Sequence, residues 1–234
     1  MAYKHGVYTS EAPTSVVPAV NTTAGLPVVF GTAPVHLASE RAQTNKPILC
    51  YSYAEAVQQL GYSKDWAKYT LCEVMYSQFA LYNRGPVVFV NVLDPKTHKK
   101  STSSQNVTVT NKIAKVDAPV LLDTLQIKAS TAGSALIAGS DYEAAYDDDG
   151  VLVITLLDDG TATAASNLTL TYDEIDAAAV DADDIIGGIN VSDGSVKGLE
   201  CLNKVFPITG LVPGIVLAPG WSETPTVAAV MKAK

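Results

Sequence analysis

Residues 99–190 carry 15 acidic against 5 basic side chains, a net charge of −10, while the rest of the 234-residue chain holds 9 acids against 11 bases. The same stretch has no Cys, Trp, Phe or Met, and only Pro119 of the chain's 12 prolines. It is written in Thr, Ala, Ser and Asp around alternating Val, Leu and Ile, with core-like sequence on both sides. A break this sharp predicts one domain inserted into another. The expected division is an arm over 1–25, an α/β core over 26–98 and 191–234, and an acidic β-rich domain over 99–190.

The rest of the composition narrows the classes. Apolar residues make up 47% of the chain, enough for a sizeable core. No apolar run reaches the roughly 18 residues of a membrane span, so no membrane insertion is expected. The opening Met1-Ala2-Tyr3-Lys4-His5-Gly6 lacks the apolar stretch of a secretory signal. A net charge of −8 opposes nucleic-acid binding, which needs a basic footprint. Cys50, Cys72 and Cys201 are odd in number, far apart and set in apolar runs, which reads as buried free thiols made in a reducing compartment.

Along the chain, Pro13, Pro18, Gly6 and Gly25 deny the arm a helix. Its segment Gly6-Val7-Tyr8-Thr9-Ser10-Glu11 can pair as a strand but has no hairpin partner nearby, so its partner is expected to be distant or on another subunit. Pro27-Val28-Val29-Phe30-Gly31-Thr32-Ala33, the run 46–51 and the run 87–93 predict buried strands. A short helix is predicted over 53–60, with Ser52 as N-cap and Gly61 as its stop. The clearest helical period spans 66–82, with Leu71, Cys72, Met75, Phe79 and Tyr82 on one face. Strand, helix and strand in that order predict a parallel α/β layer.

Inside 99–190 the period changes from 3.6 to 2, as in Val107-Thr108-Val109-Thr110 and Leu168-Thr169-Leu170-Thr171-Tyr172. Asp149-Gly150 and Asp159-Gly160 bracket the run 151–157 and signal hairpins. A small antiparallel β-sandwich or barrel is expected, then a helix near Asp183-Asp184-Ile185-Ile186. A helix over 196–206 would bury Leu199, Leu202, Val205 and Phe206. The run 214–218 reads as a fourth buried strand, and Thr224 and Pro225 open a last helix. The fold class is therefore α+β/α/β multidomain.

Residues with catalytic potential are sparse. His5, His36 and His98 have no Cys, His or carboxylate at metal-ligand spacing. No nucleophile elbow, phosphate loop or dinucleotide motif occurs. Asp147-Asp148-Asp149-Gly150 is like a calcium loop, but aligning its glycine puts Ala145 and Leu156 at ligand positions, which favours a solvated turn. The loop 219–225 offers Trp221, Ser222 and Glu223 where α/β sheets often bind ligands, without a base or second acid. Catalytic, cofactor-binding and metal residues are all read as none.

The order of these segments resembles the tail sheath proteins of contractile phage tails and phage-tail-like particles. The resemblance rests on the opening arm and on Leu26-Pro27-Val28-Val29-Phe30-Gly31-Thr32-Ala33. It continues through the segment 65–79, then Gly85-Pro86-Val87-Val88-Phe89-Val90-Asn91-Val92-Leu93, and Leu217-Ala218-Pro219-Gly220-Trp221-Ser222. It implies a structural protein without an enzymatic cycle. Copies would stack as six-fold rings around a tail tube protein and contract to drive the tube through a cell envelope. It further implies baseplate and tail terminator proteins as partners, assembly in the bacterial host cytoplasm, and a place in the virion tail of a phage or prophage. Residues 6–11 would be the inter-subunit arm, and 99–190 the family's variable outer domain. Sheath proteins continue through the rest of the α/β domain to a C-terminal arm, so this chain is read as an N-terminal part of such a protein. Two other readings stand beside it: an α/β enzyme using the loop around Trp221 and Glu223, and a binding or adhesin module displaying Tyr142, Tyr146 and Tyr172.

Overall fold

Three of the four strands of the central sheet come from short apolar runs bounded by Pro, Gly or Ser. In the computed structural model, which describes residues 25–234, they are β1 (Pro27–Gly31), β2 (Ile48–Cys50) and β3 (Val87–Asn91). β3 is buried along its whole length and β1 nearly so, which is why both are continuous apolar runs. β1 and β3 run parallel, with Val28 opposite Val88 and Phe30 opposite Val90. β2 runs antiparallel to β3, so the layer expected to be parallel has one antiparallel edge.

Two helices fill the connection from β2 to β3. α1 (Tyr53–Leu60) has the expected bounds: Ser52 Oγ accepts the Glu55 N–H, and Gly61 ends the helix at a φ of 73°. A side chain at Gly61 would put Cβ 2.3 Å from the Pro34 carbonyl oxygen, so only glycine fits. The helix expected over 66–82 starts late. α2 covers Leu71–Met75, and wider π-type turns continue it over Tyr76–Leu81. A competing hydrogen-bond set at the end of β1 delays it. The Thr32 N–H donates to Thr70 Oγ1 and the Thr70 N–H to Thr32 Oγ1. The Thr32 hydroxyl donates to Lys68 O, and the Leu71 N–H to Thr32 O. These bonds tie residues 68–71 to the strand instead of to a preceding helical turn.

The alternating stretch forms β4 (Lys99–Thr108), β5 (Ile113–Val116), β6 (Gln126–Lys128), β7 (Tyr142–Tyr146), β8 (Leu152–Leu156) and β9 (Asn167–Ile175). They make two three-stranded antiparallel sheets, ordered β4-β9-β6 and β5-β8-β7, and close no barrel. Period two is visible in what each strand buries: Leu152, Ile154 and Leu156 on β8, and Leu168, Leu170 and Tyr172 on β9. Both sheets share one apolar cluster with these residues, Val116, Ile127 and Tyr142. Asp149-Gly150 does turn the β7–β8 hairpin, with Gly150 at a φ of 79°. Asp159-Gly160 does not turn a hairpin, because β8 and β9 lie in different sheets.

Past β9, α3 (Ala182–Ile186) starts in a reciprocal capping box between Asp181 and Asp184. β10 (Gly188–Ile189) and β11 (Val196–Lys197) pair antiparallel. The helix expected over 196–206 is instead a 3-10 segment, Gly198–Lys204, followed by α4 (Val205–Thr209). Leu199 and Val205 are buried as expected, but Phe206 is 58% exposed. A 3-10 turn advances about 120° per residue, so the apolar face drifts away from Phe206. β12 (Ile215–Leu217) pairs parallel with β1 and completes the order β12-β1-β3-β2. Expected as a buried strand, it is an edge strand with Ile215 exposed. α5 (Pro225–Ala233) follows with Pro225 in its first turn, although the Thr224 hydroxyl makes no capping bond.

A second, larger apolar cluster surrounds the central sheet and takes in Leu199, Val205 and Val227. It also includes Leu121, Ile175, Val180 and Ile185 from within 99–190. Cys50, Cys72 and Cys201 sit in this cluster as buried free thiols, as expected.

Candidate functional surfaces

In parallel sheets the carboxyl ends of the strands are where ligands usually bind. Here the polar side chains at those ends are engaged by the backbone. Asn91 is 1% exposed; its Oδ1 accepts the N–H groups of Ala33 and Leu93, both at 3.1 Å, and its Nδ2 donates to Leu93 O at 3.0 Å. Thr32 and Thr70 hold each other as described. Asn45, at a φ of 56°, accepts the Gly198 N–H on Oδ1 at 2.8 Å and links the end of β3 to the returning chain.

Beside these ends lies a cleft of about 250 Å³ lined by Asn45, Asp94, His98, Asp183, Asp184 and Lys197. His98 Nδ1 accepts the Asp94 N–H at 3.0 Å, which leaves the ring proton on Nε2, 3.2 Å from Asp184 Oδ2. Asp184 Oδ2 also accepts the Asp181 N–H. Both ring nitrogens are thus occupied, and His98 has no lone pair left to take a proton from a bound molecule. The arrangement is a clasp where the chain leaves and rejoins the first core. Neighbouring pairs reinforce it: Lys99 with Asp173, Lys100 with Asp176 at 2.9 Å, and the Asp176 N–H with His98 O. Lys99 and then the Ser101 hydroxyl hold the Asp173 carboxyl below its ordinary range, and Lys100 does the same for Asp176.

The other residues singled out in the sequence fall into structural places. Asp147 Oδ1 accepts the N–H groups of Asp149 and Val151, which makes the calcium-like loop an Asx turn. Asp141 accepts the Ile137 and Thr161 N–H groups, which hold its carboxyl below the usual range. Among the described residues, no group of three or more His, Cys, Asp or Glu is placed to hold a metal ion. Tyr142 and Tyr172 are buried, and the half-buried Tyr146 donates its hydroxyl to Val120 O at 2.6 Å, so none of the three forms an exposed aromatic patch. Trp221 packs against the larger cluster, while Ser222 and Glu223 are exposed and line neither cleft described here. Residues 6–11, proposed from sequence as an inter-subunit strand, lie outside the described residues.

What the surface does offer, among the described residues, is unpaired sheet edge and apolar area. β12 and β2 are the two edges of the central sheet. Along β2 runs a shallow groove of about 440 Å³, lined by Arg41, Lys46, Pro47, Ile48, Leu49 and Gln59. On the segment leading into β12, Phe206, Ile208 and Val212 are exposed, as is Ile215 at the start of the strand. Sequence periodicity placed Phe206 inside; the flanking Pro207, Gly210, Pro213 and Gly214 were the signal that no continuous helix buries this run. Tyr51, Leu81 and Tyr82 are exposed as well.

No family model matches the chain. Over 237 aligned residues it is 29% identical to the tail sheath protein of Burkholderia phage BcepMu. The alignment takes in 99% of this chain and 46% of that protein, so the chain spans about half the length of its relative. The resemblance carried by the segment order is borne out, and it supports a structural part in a phage tail.

Proposed function

We propose that this chain is the arm, the first part of the core and the outer domain of a contractile tail sheath subunit. One observation carries the reading: the similarity to a tail sheath protein extends over 99% of the chain, through both compositional halves rather than one shared module. The division into an arm over 1–25, a core over 26–98 and 191–234, and an inserted domain over 99–190 is part of the proposal. Two separate apolar clusters support it, the smaller drawn wholly from within the acidic stretch.

In this reading, copies stack in six-fold rings around a tail tube protein, between a baseplate and a tail terminator. Assembly takes place in the host cytoplasm, and the product is a virion or prophage-encoded tail. Contraction draws on the free-energy difference between two packings of the same subunits, a few kcal/mol for each. Residues 6–11 add a strand to an open edge of a neighbour's central sheet, and the exposed faces around 206–215 and 51–82 supply further contacts. The acidic domain points outward, where like charge keeps a crowded surface soluble. Its carboxylates that cap turns or pair with lysines, such as Asp147, Asp141 and Asp173, suit that role better than acid–base chemistry.

Immunogold electron microscopy tests the reading. Antibody raised against residues 99–190 should decorate tails from cells expressing the parent gene along their full length, and should follow the sheath when it shortens. Label confined to the tail tip would favour an adhesin, and absence of label from tails would remove the sheath assignment.

A further inference from the structure

His36 sits in a short 3-10 turn, Val35–Leu37, at the seam between the two apolar clusters. It is 8% exposed, and its Nδ1 is buried with no hydrogen-bond partner among the described residues. Two tyrosine rings enclose it from opposite sides of the seam. Tyr69, of the central-sheet cluster, has its centroid 5.9 Å away; Tyr146, on β7, lies edge-on at 5.4 Å. Tyr146 is anchored through its hydroxyl to Val120 O, and the Leu37 side chain covers Gly150 in the β7–β8 turn. The contact between the sheets β4–β9 and the central sheet is therefore made partly by a neutral imidazole in an apolar, aromatic slot.

That slot accepts one protonation state. A neutral imidazole needs only one donor satisfied, whereas imidazolium carries an N–H on both ring nitrogens. The added Nδ1–H would face no acceptor, and the new charge would share the seam with the Arg41 guanidinium. Charged and titratable groups approach from each packed element. Arg41 follows the turn and pairs with Asp123 at 3.9 Å. Asp65 and Tyr69 lie on the segment before α2, Tyr146 and Asp147 on β7 and its turn, and Glu174 on β9. No hydrogen bond or ion pair joins any of these carboxylates to His36.

We propose that His36 is an acid-sensitive latch: its protonation undocks the acidic β-rich unit from the central-sheet unit while each keeps its own core. The sign follows from the ring's environment. Burial first, and Arg41 second, lower the pKa of His36 from 6.5 to about 3. The docked form is fully favoured above 6.5, weakens as pH falls towards 3, and changes no further below that. Docking falls about tenfold per pH unit in that window, hence about 100-fold by pH 4.5.

The test is hydrogen exchange read by mass spectrometry on the 234-residue chain between pH 7.5 and 4.5, with rates corrected for the intrinsic pH dependence of exchange. Peptides covering 35–41 and 144–151 should lose up to about 100-fold in protection on acidification, while those of β3 and β8 hold theirs. His36→Phe, which keeps an aromatic ring but cannot titrate, should abolish the acid response. His36→Gln serves as a second neutral variant should the phenylalanine pack poorly. Asp123→Asn, which removes the carboxylate paired with Arg41, should leave the response in place. Seam peptides that stay protected at pH 4.5, an acid response that survives in either His36 variant, or opening of both cores together with the seam would each overturn the latch.

Discussion

Asn91→Leu isolates what holds the strand ends together. Leucine has the same number of side-chain heavy atoms and the same branch point, so the shape is nearly kept. What is lost is the Oδ1 acceptor of the Ala33 and Leu93 N–H groups, at a site 1% exposed. The Leu93 carbonyl, which also loses a donor, retains the Thr44 hydroxyl at 3.4 Å. Two orphaned buried donors at about 2 kcal/mol each, less about 1.5 kcal/mol returned by burying leucine's methyl groups, leave a net loss of about 2–3 kcal/mol. That is a large share of the roughly 5–15 kcal/mol that stabilises a domain.

Urea unfolding followed by tryptophan fluorescence reads the effect cleanly. Both tryptophans, Trp66 and Trp221, lie outside 99–190, so their signal reports the central-sheet unit alone. The midpoint should fall with the slope unchanged. A loss below about 0.5 kcal/mol would refute the claim that these hydrogen bonds stitch β1 to β3, since ordinary surface changes reach that size.

Other expectations follow from single contacts. Ser52→Ala removes the Oγ that accepts the Glu55 N–H and should cost about 1 kcal/mol in the same assay. Gly198→Ala sets a Cβ 2.4 Å from Ile185 O at a φ of 55°, so it should cost more than the roughly 1–2 kcal/mol of a left-handed alanine; near-neutral behaviour would mean the chain return from α3 is looser than this. Burial raises Cys50 and Cys72 to about 12 and Cys201 to about 11. At pH 8 all three should therefore react with a thiol reagent only as fast as the protein opens, and an immediate stoichiometric reaction would contradict their placement.

Where local chemistry decided the structure, it could be read from the sequence. Ser52 and Gly61 bracket α1, and Asp149-Gly150 turns β7 into β8, because a cap or a positive φ is set by one or two residues. The errors arose where distant partners decided. The late start of α2 comes from Thr32, which lies far from Thr70 in sequence and offers no periodic sign of its approach. Asp159-Gly160 has the same dipeptide as a true hairpin, yet β9 pairs with β4 and β6, whose positions the dipeptide does not encode. Phe206 matched the apolar period of a helix that the 3-10 geometry of 198–204 then rotated away. The His98–Asp184 clasp was hidden for the same reason: its two members stand on opposite sides of the acidic stretch.

The two open edges set a limit on how single copies should behave. β12 and β2 are three residues each, so a strand added to either makes only about three ladder bonds. At about 1 kcal/mol net per bond, one added strand yields about 3 kcal/mol, below the roughly 4–15 kcal/mol that association costs. Any burial of the exposed side chains at Phe206, Ile208, Val212 and Ile215 would come on top of that figure. Strand pairing at one edge is therefore too weak by itself to hold two copies together. A lattice in which every subunit gives and receives strands is held by many such contacts at once, each at high effective concentration. The chain alone should sediment as a monomer at micromolar concentration, and a stable dimer there would show that a single surface carries assembly and that strand addition at these edges is not its limiting term.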